Sequence, residues 1–312
     1  MLVAHLIRYS LRRFTWKTFL PKRHLCSSVR VAPMPLAEVM SILPQAAREG
    51  SSPTPYESQT VSMCNDGGLF VAVGNTGQVI GTVSAMKYSE SLGHIGYYYI
   101  DPDYRGKEVE EQLWQKAVGY LGNQCNIGID IKPSQLEELK KKGFTESWRN
   151  CRYKGLGSSL LAEFINTEHI RPLTRLSLND MVEYDCKVST VERRLLIQRW
   201  SNTPKPGGAY AAIKEGRILG YGVIRPCIEG FLIGPLYADN TALTQALLLT
   251  LFALVPNADI YIDSPIDNPS FIHLLTKDMQ MEPVFETVRM YSKGNPGIPL
   301  QKMFALSGIE LG

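Results

Sequence analysis

Cysteine is scarce and unpaired in this chain. Of 312 residues only six are cysteine, at 26, 64, 125, 151, 186 and 227, and no two form a CxxC pair. That excludes the paired-thiolate spacing of a zinc cluster, and a chain this long builds its own core without a disulfide framework. The five histidines (5, 24, 94, 169, 273) never recur at i, i+4, so no metal site is expected. Neither a GxSxG turn nor a GxxxxGKS/T loop occurs, which removes the hydrolase elbow and the nucleotide phosphate loop. Long apolar runs are missing too. The longest, Ala246 to Val255, is ten residues with a threonine inside it, too short to cross a bilayer, so no integral membrane association is expected. Finally, residues 1–30 contain no acid but hold seven of the 33 basic side chains. The remainder, with 26 basic against 30 acidic residues, sits near −4. It lacks the cationic surplus with which nucleic-acid binders neutralise phosphate.

What is present reads as a globular chain, 44% hydrophobic and 20% charged, with room for two domains of about 150 residues. The acid-free first segment, basic and ending near Cys26-Ser-Ser, has the composition of a mitochondrial transit peptide. Val3, Ile7, Leu11 and Phe14 share one helical face. Arg8, Arg12 and Arg13 interrupt any continuous apolar core of the kind a secretory signal needs. Arg23, three residues before Cys26, places cleavage after Leu25. The expected location is the mitochondrial matrix.

Residues beyond the leader repeat weakly, with an offset of about 140 residues. Gly68-Leu-Phe-Val-Ala-Val, a turn at Asn75-Thr-Gly77 and Val79 to Ala85 predict a hairpin. Gly208-Ala-Tyr-Ala-Ala-Ile, a turn at Lys214-Glu-Gly216 and Ile218 to Ile224 predict another. Each copy continues with a strand (93–100; 231–237) and a helix (106–121; 241–254). Next comes a strand ending in aspartate (Asp130; Asp263), then a further helix and a closing strand (Arg152-Tyr153; Arg289-Met-Tyr291). Short strands and helices open the copies around 29–48 and 168–200. The pattern predicts an α+β (layered α/β) class, with two domains that each hold a mixed, mostly antiparallel sheet flanked by helices. The expected boundaries are a leader at 1–29, a first domain at 30–156, a linker at 157–167 and a second domain at 168–312.

This order of elements resembles the GNAT superfamily of acyl-CoA-dependent N-acetyltransferases, in a tandem arrangement covering about 30–312. The first copy carries the likeness in Ile100-Asp-Pro-Asp-Tyr-Arg-Gly-Lys107, Leu113-Trp114, Asn126-Ile-Gly-Ile-Asp130 and Lys142-Gly-Phe144. The second carries it in Gly220-Tyr-Gly-Val-Ile-Arg-Pro226, Ile233-Gly-Pro-Leu-Tyr-Ala-Asp239, Asp263-Ser-Pro-Ile-Asp-Asn268 and the closing Gly308-Ile-Glu-Leu-Gly312. The resemblance implies acetyl-CoA or another acyl-CoA as co-substrate and an amine of a small molecule or peptide as acceptor. It also implies that a backbone N–H near Ile100 polarises the thioester carbonyl. The pyrophosphate would then lie on the loop and helix start formed by Arg105, Gly106, Lys107 and Val109, with Asn268 beside the pantetheine of the second copy.

Several positions depart from the family pattern. The phosphate loop of the family reads Arg/Gln-x-x-Gly-x-Gly/Ala, whereas Glu108 and Glu110 stand at both later glycine positions, followed by Glu111. One carboxylate about 5 Å from a phosphate charge costs roughly 3 kcal/mol at an effective dielectric of about 20. At a helix N-terminus it also takes the electrostatic place of the phosphate. Leu139 fills the slot where a tyrosine often protonates the leaving thiolate, and Ser51-Ser-Pro-Thr54 replaces a Trp-Asn-Pro-Gly-like loop. Asp239 or Asn240 reads as the N-cap of the helix that follows. Candidate proton donors are Tyr98 and Tyr237. Strand alternation lets either Tyr98 or the pair Tyr97 and Tyr99 face a cleft, but not both. These departures keep a second function open, a catalytically degenerate scaffold that binds or regulates.

Overall fold

A computed structural model describes residues 30–34, 55–64, 67–106, 108–158 and 169–312. The leader, residues 35–48 of the strand-and-helix opening expected around 29–48, Ser51–Thr54, Lys107, residues 159–167 of the expected linker and residue 168 lie outside the described residues. Among the described residues, thirteen strands join into one sheet. The first half supplies β1 (Arg30–Pro33), β2 (Leu69–Val73), β3 (Val79–Lys87), β4 (Leu92–Ile100), β5 (Asn126–Ile131) and β6 (Thr145–Leu156). The second supplies β7 (Ile170–Pro172), β8 (Gly208–Lys214), β9 (Arg217–Cys227), β10 (Gly230–Ala238), β11 (Asp259–Pro265), β12 (Glu282–Tyr291) and β13 (Met303–Ala305).

Each half has the expected mixed sheet, but the two are fused by an exchange that the sequence did not announce. The strand order is β1-β2-β3-β4-β5-β12-β6-β11-β10-β9-β8-β7. The closing strand of each half thus lies inside the sheet of the other. These strands pair antiparallel except for β4 with β5 and β10 with β11, so the order reads the same from either end about the β12–β6 pair.

Two reciprocal ion pairs hold the exchange. Arg289 of β12 sits opposite Asp130 of β5, and Arg152 of β6 opposite Asp263 of β11. Arg152 is bidentate, with Nε 2.6 Å from Asp263 Oδ1 and Nη2 2.7 Å from Oδ2, whereas Arg289 Nε and Nη2 both donate to Asp130 Oδ2. Arg289 Nε lies 2.9 Å from Asp130 Oδ2. Asp130 Oδ1 also accepts from Asn150 Nδ2 at 2.9 Å and from Thr287 Oγ1. Burial, the larger influence, raises the pKa of Asp130 on balance, and the adjacent Arg289 opposes it.

Seven helices cover the sheet among the described residues: α1 (Pro55–Cys64), α2 (Glu108–Leu121), α3 (Leu136–Lys141), α4 (Leu178–Ser189), α5 (Arg194–Ser201), α6 (Thr241–Ala253) and α7 (Pro269–His273). Three acids in the first turn of α2 complement the helix dipole. Its buried Val109, Leu113, Ala117 and Leu121 recur every four residues and pack on the first half. α6 is buried on several sides through Leu247, Leu248, Leu251 and Phe252, and covers the second half. On the other face, residues of both halves share one core, from Leu69, Val71 and Tyr97 to Met181, Ile197, Trp200 and Leu311.

Candidate acyl-transfer site

Two places in such a sheet can open, the parallel pairs. β4 and β5 stay hydrogen-bonded only from Leu92↔Asn126 to Ile95↔Ile129. Beyond Ile95 they diverge into a cleft of about 360 Å³. A register shift against β3 accompanies the divergence, and Tyr97 takes a positive φ of 45°, the mark of a β-bulge. Tyr97, Tyr98 and Tyr99 all contribute atoms to the cleft lining. The Tyr97 side chain packs in the core shared by both halves and Tyr98 packs against Trp114 in the first-half core, so these two still project to opposite sides of the strand.

Backbone donors face this opening. Asp101 N–H bonds to Ile80 O on β3, so the Ile100 peptide groups point the other way, into the gap. The Ile100 carbonyl accepts from Arg105 Nε at 3.1 Å, which ties the loop to the strand. Tyr97 N–H also points inward and donates to the carboxylate of Glu310, which reaches the cleft from the segment after β13. The side wall is apolar: Trp114 packs edge-on against Tyr98 and Phe144, and Leu139 is buried beside it. Tyr98 donates its hydroxyl proton to Glu110 O at 3.1 Å. Burial, followed by the negative charge of Glu110, raises its pKa, so it is a protonated phenol at neutral pH. Leu139 offers no hydroxyl for a leaving thiolate.

At the phosphate end the geometry sharpens what the sequence suggested. Gly106 has φ +68° and open space within 4 Å of where a Cβ would stand, the bare backbone that a close ligand needs. Its N–H is taken by Glu110 Oε2 at 2.8 Å. Glu108 and Glu111 instead accept from Gln112 and Gln115 one turn on. The Val109 side chain is only 2% exposed and belongs to the core, leaving just its backbone for a ligand. Gap, apolar wall and inward amides therefore fit a pantetheine thioester, while the loop already holds an anion of its own.

The other opening is filled. β10 and β11 pair from Phe231↔Ile260 to Ile233↔Ile262. Past that point β13 pairs with β10 at Leu236 and Tyr237, and Leu306 N–H bonds to Asp263 O on β11. A side chain at Gly234 would come within 2.1 Å of Leu306 O, a measure of how tightly the insert fits. Asn268, expected beside pantetheine, gives its amide protons to Leu300 O and Met303 O at 2.9 and 3.0 Å. It fastens the insert, and that is a correction. Tyr237 is also corrected as a cleft acid. It is fully buried, with its hydroxyl 3.2 Å from Ser307 Oγ and 3.3 Å from Arg193 Nη2. Asn240 is the N-cap of α6, accepting from Leu243 N–H at 3.0 Å, while Asp239 receives Lys302 Nζ.

Comparison with known proteins agrees with this architecture. Residues 36–136 match the acetyltransferase (GNAT) family and residues 181–305 match an acetyltransferase (GNAT) domain. Together the matches span well over half of the chain, and the chain belongs to the GNAT superfamily as a tandem of two such domains. Holothin acyltransferase of Pseudoalteromonas sp. (strain SANK 73390) is 27% identical over 234 residues, 75% of this chain and 78% of that protein. Among solved structures, a Pyrococcus horikoshii protein assigned as an acetyltransferase superposes with a TM-score of 0.74 at 16% identity, covering 95% of this chain and all of that one. A tandem GNAT protein from the clavulanic acid biosynthesis pathway gives 0.59 at 12% identity, covering 85% and 98%. These structures share the fold. Among the described residues no cluster of metal-ligating side chains occurs, and no helix is long and apolar enough to cross a membrane.

The expectations missed Glu310 and β13. Gly308-Ile-Glu-Leu-Gly312 already stood out as part of the resemblance, but the motif alone does not tell which half it enters.

Proposed function

We propose that the protein is an acyl-CoA-dependent N-acyltransferase, with acetyl-CoA as the first donor to try and an amine of a small molecule or peptide as acceptor, working in the β4–β5 cleft. The observation that carries this is the divergence after Ile95, which leaves Tyr97 and Ile100 amides facing the gap. An amide N–H there can donate to the thioester oxygen as negative charge builds on it, a contribution of a few kcal/mol in such sites. Calorimetric titration with acetyl-CoA, followed by thiol release over a panel of primary amines, tests it. One site per chain with turnover is the expected result, and absence of binding refutes it.

A second reading has its own support. Glu110 on the Gly106 N–H is what a loop that no longer serves pyrophosphate would hold. In that case the protein is a binding or regulatory scaffold, and acetyl-CoA would bind without thiol release. Residues 1–29 are proposed to direct the chain to the mitochondrial matrix. A fluorescent reporter fused to residues 1–35 and found outside mitochondria would remove that part.

A further inference from the structure

We propose that Glu310, carried by the second half, is the general base for acyl transfer in the cleft of the first half. The inference rests on the acyltransferase reading above and names the group that reading leaves blank. β13 and the residues after it pass through the filled gap of the second half and then run to the floor of the open one. A frame of polar contacts fixes their course. Arg225 Nη2 donates to Ser307 O at 2.6 Å, and Arg193 Nη1 to Ser307 Oγ at 2.7 Å. His94 Nε2 lies 3.0 Å from Ile309 O, and the Tyr88 hydroxyl donates to Leu311 O. Gly96, at the point where β4 leaves β5, would place a Cβ 2.2 Å from Glu310 O, so the strand and the segment meet in backbone contact. Glu310 is thus delivered to the bulge by buried anchors on either side of it.

Its carboxylate lies on the Tyr97 N–H, one of the two amides facing the gap. An amine reaches such a site chiefly as its ammonium ion, which a carboxylate attracts. When a thioester carbonyl takes the Tyr97 N–H, the carboxylate is released to the amine. The ammonium first gives one proton to the Glu310 carboxylate, which passes it to water; the neutral amine nitrogen then bonds to the carbonyl carbon, and its second proton goes to the same carboxylate. The C–S bond breaks with its electron pair on the CoA sulfur, which water protonates. The site is therefore composite: one half holds the thioester and the other supplies the base.

The test uses the full chain, acetyl-CoA and the amine panel, with thiol release followed from pH 5 to 9 and acetyl-CoA affinity measured alongside. E310Q is expected to bind acetyl-CoA within about threefold of wild type, to lose on the order of 10² to 10⁴ in kcat, and to lose the acid limb of the pH profile. E310D keeps a carboxylate one methylene short and should fall between the two, with the acid limb retained. Gly96→Ala, which pushes on Glu310 without changing its chemistry, should also lower kcat. An E310Q protein with wild-type kcat overturns the role of Glu310 and leaves the acyltransferase reading standing. A faster or tighter-binding E310Q overturns it too, since the carboxylate would then be an obstruction. Wild-type protein that fails to bind acetyl-CoA, or binds without releasing thiol, overturns both.

Discussion

The two parallel strand pairs of this sheet start alike and end differently. β4–β5 and β10–β11 both pair briefly and then separate, at Ile95 and Ile233. The first separation stays open, with donors facing in. The second is closed by β13, and Asn268 and the Leu306 amide fasten the closure. A duplicated domain can thus keep its sheet while giving up its cleft, because the splayed edge needs some partner. A ligand can satisfy those amides, or a strand can. The strand that closes one gap also brings Glu310 to the other, so the half without a cleft still contributes to the chemistry.

The largest test of this comparison concerns what the halves share. Arg289→Ala leaves Asp130 buried without its cation, and Arg152→Ala does the same to Asp263. Each should cost about 3–5 kcal/mol in urea unfolding. Costs that differ by more than about 2 kcal/mol would show that the symmetry of the exchange is geometric but not energetic.

Next in size is a pH effect confined to the open half. Burial, reinforced by Arg289, pushes the pKa of His94 down from 6.5 to about 3. The unfolded chain binds that proton below about pH 6.5 and the native one does not. Stability from this residue is therefore complete above about 6.5 and falls as pH drops toward 3, by at most about 1.4 kcal/mol per unit. His94→Gln should flatten that slope in denaturation measured at several pH values. An unchanged slope would assign acid sensitivity to other groups.

Smaller effects separate the two helix starts. Glu110→Ala frees the Gly106 N–H and removes a charge, so acetyl-CoA affinity should rise about tenfold or more. Asn240→Ala, at the start of α6 in the closed half, should cost about 1 kcal/mol of stability and leave acetyl-CoA affinity unchanged. Calorimetry and thermal unfolding on the two variants decide whether only the first helix start meets the ligand.

Local pattern made much of this molecule legible. The hairpins at 69–87 and 208–227, the helices at 108–121 and 241–253 and the strands ending at Asp130 and Asp263 lie close to where alternation and helical spacing put them. Glu110 was flagged by type alone, since a carboxylate in a glycine's place at a helix start is an electrostatic statement in any fold. What stayed hidden depends on chain crossing. The spacing within Arg289-Met-Tyr291 fits a closing strand, yet nothing in it says that the strand pairs with residues 128–131 of the other half. Asn268 and Tyr237 carry suitable chemistry in suitable slots, and only the path of β13 turns them from ligands into fasteners. The bulge at Tyr97 escaped for a related reason, as register is set by the partner strand.

The exchange of β6 and β12 has a consequence in time. As the chain leaves the ribosome, β5 and β6 are complete by residue 156, but the strand that belongs between them ends at residue 291. At about 5–20 residues per second, the first half waits on the order of ten seconds with two unsatisfied strand edges. During that wait the β12 of another molecule is an equivalent partner, so the natural error of this fold is a pair of chains sharing strands, and it grows with the concentration of chains. Slow delivery of residues 157–281 would worsen it. The order of synthesis therefore becomes part of how the open cleft is made.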